Sequence, residues 1–408
     1  MATNYYIQLE EKHGAHNYHP LPVVLNKGQG VYVWDVEGKK YYDFLSGYSA
    51  VNQGHCHTKI VEAFTQQAQQ LTLTSRAFYN DKLGEFEKYI TTLLGYDKVL
   101  PMNTGVEAVE TAIKLCRKWA YEIKGILENE AIIVVCDHNF HGRTSTVISF
   151  SSDENALKNF GPYMGGFISI PYNDVGALEE VLQNKNVAGF LVEPIQGEAG
   201  VLVPDDGYLA ACKKLCAEKN VLFIADEIQT GLCRTGKMLC CDHEKVRPDI
   251  VLLGKALSGG MMPVSAVLAD DGIMMCIKPG QHGSTYGGNP LAAVTAIASL
   301  EVLLQENMAE NALVLGEYFR QELSALQNEH VKLVRGKGLL NAIEIHSEDP
   351  EAAWKLCLEM KERGLLAKPT HGDKIRFAPP LCITKEQLKE CVEIIKQSLK
   401  VLDESSNI

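Results

Sequence analysis

The sequence predicts an α/β protein: a large, doubly wound domain on a mostly parallel sheet, with a smaller α+β domain built from the C-terminus and the N-terminal segment. Three observations carry this. Apolar runs at 131–136, 189–192, 221–225 and 250–253 lack period-two alternation, as strands buried on both faces do. Helical patterns alternate with these runs, which is the signature of a parallel sheet with crossover helices. Finally, 408 residues exceed what one ordinary core holds.

Taken in order, residues 1–50 form an N-terminal segment, with strands around 30–42, that contributes to the small domain and the active site. Residues 51–288 form the large domain. Within it, 206–220 reads as a helix with Leu209, Cys212, Leu215 and Cys216 on one side. Residues 289–408 form the small domain, in which long helical segments flank a mixed stretch at 331–376. Its last helix opens on a capping box, Thr384 with Gln387, followed by a stripe of Leu388, Val392, Ile395, Leu399 and Leu402. There are no internal repeats and no low-complexity linker.

A net charge of −12 argues against nucleic acid or an anionic membrane as the main partner. No apolar run approaches the roughly 18–20 residues of a membrane span. The polar start, Met1 to Tyr6, has neither a signal-peptide core nor an Arg-rich leader, so the expected compartment is the cytoplasm; a processed mitochondrial form would look the same. Twelve scattered cysteines suggest reduced thiols, with Cys212 and Cys216 in a core. The vicinal Cys240-Cys241 reads as a pair of small hydrophobes or as a redox-sensitive pair.

Ligands of open parallel sheets bind at the carboxyl ends of strands, so polar residues just after the apolar runs matter most. The run ending at Ala225 meets Asp226-Glu227, then Ile228-Gln229; two carboxylates at a buried strand end call for a cationic partner, although a helix cap or a salt bridge also explains them. The run ending at Leu253 meets Gly254-Lys255, where desolvation makes an amine nucleophilic. Singly, each has an ordinary structural explanation. Together they match pyridoxal phosphate, which needs a lysine for its aldehyde and an acid facing its ring nitrogen. Gln229 suits the phenolic oxygen. Gly105, with Val106, starts a helix whose free N–H groups suit the phosphate. In the stretch 138–143, Phe140 suits stacking on the ring and Arg143 suits a carboxylate. Arg376 offers a second carboxylate partner, and Glu193 and Glu198 flank a turn at Gly197. No metal site is expected: His138 and His141 lack completing ligands. The run from Gly231 to Lys237 has phosphate-loop spacing, but Met238 stands where magnesium binding needs Ser or Thr, so no nucleotide is expected there.

These motifs resemble the fold-type-I pyridoxal-phosphate aminotransferases of the class-III, ω-amino-acid branch, through nearly the whole chain. The specific stretches are 222–231, 254–260 and 283–290; those at 14–22 and 43–52 are most similar to the branch members that act on ornithine. The resemblance implies a fold-type-I cofactor domain with coenzyme residues Gly105, Val106, Phe140, Asp226, Gln229 and Lys255, the last holding the cofactor as a Schiff base. It implies a phosphate contact donated by the partner subunit at Thr285, with Ser284 beside it, and hence a homodimer with shared sites or a higher oligomer built from it.

For substrates it implies ornithine and 2-oxoglutarate, with Tyr18, Tyr48 and Arg143 around ornithine and Glu198 neutralising Arg376 until 2-oxoglutarate arrives. Sister activities on N-acetylornithine or 4-aminobutyrate share the motifs, and Tyr18 and Tyr48 favour ornithine.

Overall fold

The computed structural model describes residues 2–370 and 372–405; Met1, and with it the start of the polar N-terminal run, lies outside the described residues. Helix Ala2–His13 leads into three antiparallel strands, β1 (Leu25–Gln29), β2 (Tyr32–Asp35) and β3 (Lys40–Asp43).

The central sheet has seven strands: β4 (Lys98–Met102), β5 (Ile132–Cys136), β6 (Phe167–Ile170), β7 (Val187–Val192), β8 (Leu222–Asp226), β9 (Ile250–Leu253) and β10 (Ser265–Ala269). Their order is β4-β10-β9-β8-β7-β5-β6. All neighbours are parallel except β10, which runs antiparallel between β4 and β9. The mostly parallel sheet is therefore as expected. β7, β8 and β9 are buried at every residue, which explains their unbroken apolar runs. The helix expected at 206–220 is shorter, Tyr208–Glu218, because Gly207 precedes it with φ 88° and Asn220 follows it with φ 51°, both outside helical geometry.

A third sheet combines β11 (Val331–Lys337), β12 (Leu340–Ile345), β14 (Lys368–Thr370) and β15 (Lys374–Phe377). Between β12 and β14 lies β13 (Leu365–Leu366), which pairs parallel with β3 and so joins the C-terminal region to the N-terminal strands. The β11–β12 turn packs against helix Met308–Ala325 at a point where only glycine fits. A Cβ on Gly316 would lie 1.8 Å from the Gly338 carbonyl oxygen, and Gly338 itself has φ 56°. The capping box before helix Lys385–Ser405 is formed: Gln387 N–H donates to Thr384 Oγ1 (3.2 Å) and Thr384 N–H to Gln387 Oε1 (2.9 Å).

The loop with phosphate-loop spacing is a packing element. Arg234 is fully buried and donates to Asn52 Oδ1 (2.6 Å) and to the carbonyls of Leu339 (3.0 Å) and Pro379 (2.7 Å), tying N-terminal, central and C-terminal segments together.

Candidate active site

The carboxyl ends of five strands converge. β8 ends on Asp226, and Gly254-Lys255 follow β9. Glu193 follows β7, the stretch 138–143 follows β5, and β4 leads to Gly105. Between them lies a cavity of about 210 Å³ walled by Gly105, Val106, Phe140, Asp226, Gln229 and Lys255, with Glu193 and Glu198 also facing it.

Helix Gly105–Trp119 starts here because Thr104 caps it. Glu107 N–H donates to Thr104 Oγ1 (3.3 Å), and Thr104 N–H donates to the Glu107 carboxylate (2.6 Å). The cap leaves the N–H groups of the first residues, Gly105 and Val106, without helical partners beside the cavity.

Lys255 has φ 45°, a left-handed conformation rare for a side chain of this size. The surrounding packing holds it: a Cβ on Gly254 would lie 3.2 Å from Ile228 Cγ2. Burial draws the Lys255 amine below the ordinary lysine range, opposed by the Glu198 and Asp226 carboxylates.

Asp226 is buried. Its Oδ2 lies 2.7 Å from His141 Nδ1, and its Oδ1 accepts from Ile228 N–H at 3.1 Å. Burial disfavours a charged His141, but the hydrogen bond and charge of Asp226 outweigh it, so the imidazole is more basic than usual. The partner of Asp226 is thus a histidine. Its neighbour Glu227 needs no cation: it takes the Thr230 hydroxyl (2.5 Å) and Cys241 N–H (2.8 Å), and burial pushes its carboxyl up. Cys240 and Cys241 are both buried and free, in the short turn that supplies that donor.

Glu193 and Glu198 behave differently. Glu193 accepts from Phe140 N–H at 2.9 Å, and burial pushes its carboxyl up to about 8. Glu198 is also pushed up by burial, but Arg376 and then Lys255 outweigh this and hold it below the ordinary range. Arg376 Nη1 donates to Glu198 Oε1 at 2.7 Å and to the Gly197 carbonyl at 3.3 Å; Gln229 Nε2 donates to the same Glu198 oxygen at 3.2 Å. Gly197 permits this, since a Cβ there would fall 1.4 Å from Gln229 Oε1.

Tyr48 closes this side, with the Arg376 guanidinium 5.3 Å from its ring centroid. Burial raises the Tyr48 hydroxyl pKa, and the charges acting on it are Glu198, Arg376, Tyr18 and Arg143. The five residues expected around substrate therefore share one electrostatic neighbourhood. Tyr18 is 66% exposed, at its outer edge. Arg143 sits 5.7 Å from the Phe140 ring centroid, on a second cavity of about 480 Å³ that shares Phe140, His141, Gly142 and Glu198 with the first.

Ser284 and Thr285 do not line the cavity of their own chain. Ser284 Oγ accepts from Asn103 Nδ2 at 2.7 Å, and Thr285 is exposed.

His141 is the functional residue that sequence reasoning passed over, having weighed it only as a metal ligand. The available signal was Asp226: a carboxylate at a buried strand end needs a donor, and a histidine can supply both a hydrogen bond and a charge.

The residues present fit pyridoxal phosphate. Gln229 Oε1 is buried beside the cavity without a partner among the described residues, as an atom that would face the bound ring is; the helix start offers N–H groups to a phosphate, and the Lys255 amine and the buried Asp226 would supply the two ring contacts.

A model of the aminotransferase class-III family matches residues 13–399. Ornithine aminotransferase, mitochondrial, from Rattus norvegicus is 61% identical over 398 residues, covering 98% of this chain and 91% of the relative. Ornithine aminotransferase from Plasmodium falciparum is 55% identical over 402 residues, covering 98% and 97%. Among solved structures, the ornithine aminotransferase of Toxoplasma gondii superposes with a TM-score of 0.96 at 48% identity, covering 99% of this chain and 96% of the other. An acetylornithine aminotransferase from Elizabethkingia anophelis gives 0.90 at 61%, covering 98% and 99%. The chain therefore belongs to the class-III aminotransferases and is a pyridoxal-phosphate enzyme.

Proposed function

We propose that this chain transfers the δ-amino group of L-ornithine to 2-oxoglutarate, giving glutamate and glutamate 5-semialdehyde, which cyclises to pyrroline-5-carboxylate. The observation that carries the reading is the Arg376–Glu198 pair, 2.7 Å long, with Arg376 buried against Tyr48, and a second arginine, Arg143, lining a cavity that Glu198 also lines. An enzyme that must accept ornithine by its δ-end and 2-oxoglutarate by its α-end needs one carboxylate site always open and one that can be masked.

Pyridoxal phosphate, when bound, supplies an electron-accepting ring and the carbon that carries the amino group between substrates. Asp226, held by His141, would face the ring nitrogen and favour a proton there. Phe140 would stack on the ring, Gln229 would hydrogen-bond the phenolic oxygen, and Gly105 and Val106 would offer backbone N–H groups to the phosphate. Lys255 would anchor the cofactor, and its amine, when free, would take and return the proton at the δ-carbon of ornithine. Its lowered basicity suits this role.

Arg143 and Tyr18 hold ornithine's α-carboxylate and α-amino group, beside Tyr48. Glu198 neutralises Arg376 during this half of the cycle. In the other half Glu198 turns away and Arg376 binds the α-carboxylate of 2-oxoglutarate.

The site is shared. Thr285, exposed on its own chain, is offered with Ser284 to the phosphate of a second copy, so a homodimer is the smallest complete unit. Exposed Phe78, Tyr79 and Tyr286 are consistent with a covered face.

The solved acetylornithine enzyme at 61% identity favours N-acetylornithine as the second reading. Initial rates with 2-oxoglutarate and each donor separate the two. A kcat/KM for ornithine above those for N-acetylornithine and 4-aminobutyrate supports the proposal; a higher value for N-acetylornithine replaces it.

A further inference from the structure

The segment that carries Thr285 is anchored at three points to the phosphate end of its own chain. His282 Nε2 lies 2.8 Å from Thr111 Oγ1, and Lys114 Nζ lies 2.9 Å from His282 Nδ1. Asn103 Nδ2 donates to Ser284 Oγ at 2.7 Å, and Gly287 N–H donates to that same oxygen at 3.2 Å. Gly287 sits so close to β4 that a Cβ there would fall 2.6 Å from the Pro101 carbonyl oxygen.

Donor and acceptor accounting fixes the state of His282. The single hydroxyl hydrogen of Thr111 is committed to the Glu107 carbonyl, 2.7 Å away, so Thr111 Oγ1 can only accept. His282 Nε2 therefore carries a hydrogen. The Lys114 ammonium can only donate, so Nδ1 is the bare acceptor. The imidazole is neutral, in one tautomer, with both nitrogens used. Burial, and then the Lys114 charge, disfavour a second proton; Glu107 opposes them less strongly. Thr111 is fully buried and Thr104, Glu107, Thr111 and Lys114 lie on or cap helix Gly105–Trp119, so the clamp is seated on a rigid element.

Immediately beyond it, Thr285 is exposed and its hydroxyl has no hydrogen-bond partner among the described residues. A short exposed segment held rigidly at its base, with a free hydroxyl at its tip, is a preorganised donor.

We propose that His282, through Thr111 and Lys114, is a positioning residue that presents the segment 283–285 to the cofactor phosphate. This rests on the assignment of Thr285 to the phosphate of a second copy. The clamp also joins the helix start that faces one phosphate to the segment that faces another, through the side chains of a single chain.

The discriminating test compares two cofactors. The full-length protein, freed of cofactor, is titrated with pyridoxal 5′-phosphate and with pyridoxal, which lacks the phosphate, following quenching of protein fluorescence. For His282→Leu, affinity for the phosphorylated cofactor falls about tenfold while that for pyridoxal is unchanged, the scale of one lost charge-assisted contact. His282→Gln, which keeps a donor toward Thr111, recovers part of the loss, and Lys114→Met shows a smaller loss with the same selectivity. A variant that weakens both cofactors equally acts through general structure and overturns the proposal, as does one that weakens neither. Thr285→Ala separates the two layers. If it lowers the phosphate preference while the His282 and Lys114 variants do not, the clamp is wrong and the Thr285 assignment stands. If Thr285→Ala leaves the preference intact, that assignment fails and the clamp with it.

Discussion

Glu193 and Glu198 stand five residues apart on one loop, face the same cavity, and titrate in opposite directions. Glu193 takes a single backbone N–H and has no cation in hydrogen-bond contact, so burial dominates and its carboxyl rises to about 8. Glu198 has Arg376 at 2.7 Å and Gln229 at 3.2 Å, and stays ionised despite burial. The floor of the cavity, around Glu193, His141 and Asp226, is thus held by hydrogen bonds among its own groups, with His141 Nε2 left without a partner among the described residues. The rim, around Glu198, Arg376 and Tyr48, is a pair of charges that hold each other, and the proposed function has a substrate carboxylate separate them. Residue type does not set a carboxylate's task here; its partner does.

The largest expected effect breaks the floor. Lys255→Ala removes anchor and proton carrier together, and transamination falls by more than about 10⁴-fold. The same variant retains no cofactor covalently after borohydride reduction and denaturation, which is read by mass spectrometry. Next comes Asp226→Asn, which keeps the shape but removes the charge opposite the ring nitrogen and leaves His141 a neutral amide in place of a carboxylate. A loss of about 10³-fold in kcat with little change in KM for either substrate is expected from steady-state kinetics.

The rim breaks differently. Glu198→Ala leaves Arg376 unmasked, so ornithine can bind by its α-end; the preference for the δ-amino group weakens by about tenfold while turnover with glutamate is retained. Product analysis of ornithine turnover checks this, and unchanged regiospecificity would refute the masking role.

The smallest effect sharpens the contrast between the two acids. The folded-state pKa of Glu193, about 8, lies above the ordinary 4.5. Below pH 4.5 both folded and unfolded states hold the proton and the site costs nothing. Between about 4.5 and 8 the unfolded chain releases its proton while the folded one keeps it, so stability declines, and above 8 the loss is complete. Glu193→Gln, always neutral, therefore gains stability relative to the parent as pH rises through that window and gains no more beyond it. Thermal unfolding at pH 4.5, 6.5 and 8.5 reads the difference; a constant offset at all three would show that folding does not raise the pKa of Glu193.

Much of this was legible in the sequence for a physical reason: the site sits at the ends of strands too apolar to be mistaken. β9 spans Ile250–Leu253, as read, and Asp226 and Lys255 follow from where such runs stop. The capping box at Thr384 was legible because a cap is local chemistry. The edges of the sheet were less so. The edge strands β4 and β6 are only partly buried, and the antiparallel insertion of β10 between β4 and β9 depends on contacts far apart in sequence. The His141–Asp226 bond joins residues 85 positions apart, and the His282–Thr111 bond 171, which no local pattern reveals.

The most direct test of the whole account is the absorption spectrum of the purified protein before and after addition of ornithine, with N-acetylornithine and 4-aminobutyrate in parallel. The account predicts a yellow protein that ornithine bleaches, that the other two donors leave unchanged, and that 2-oxoglutarate restores. A protein that stays colourless after addition of pyridoxal phosphate would contradict the role given to Lys255, and bleaching by another donor in place of ornithine would contradict the role given to the rim.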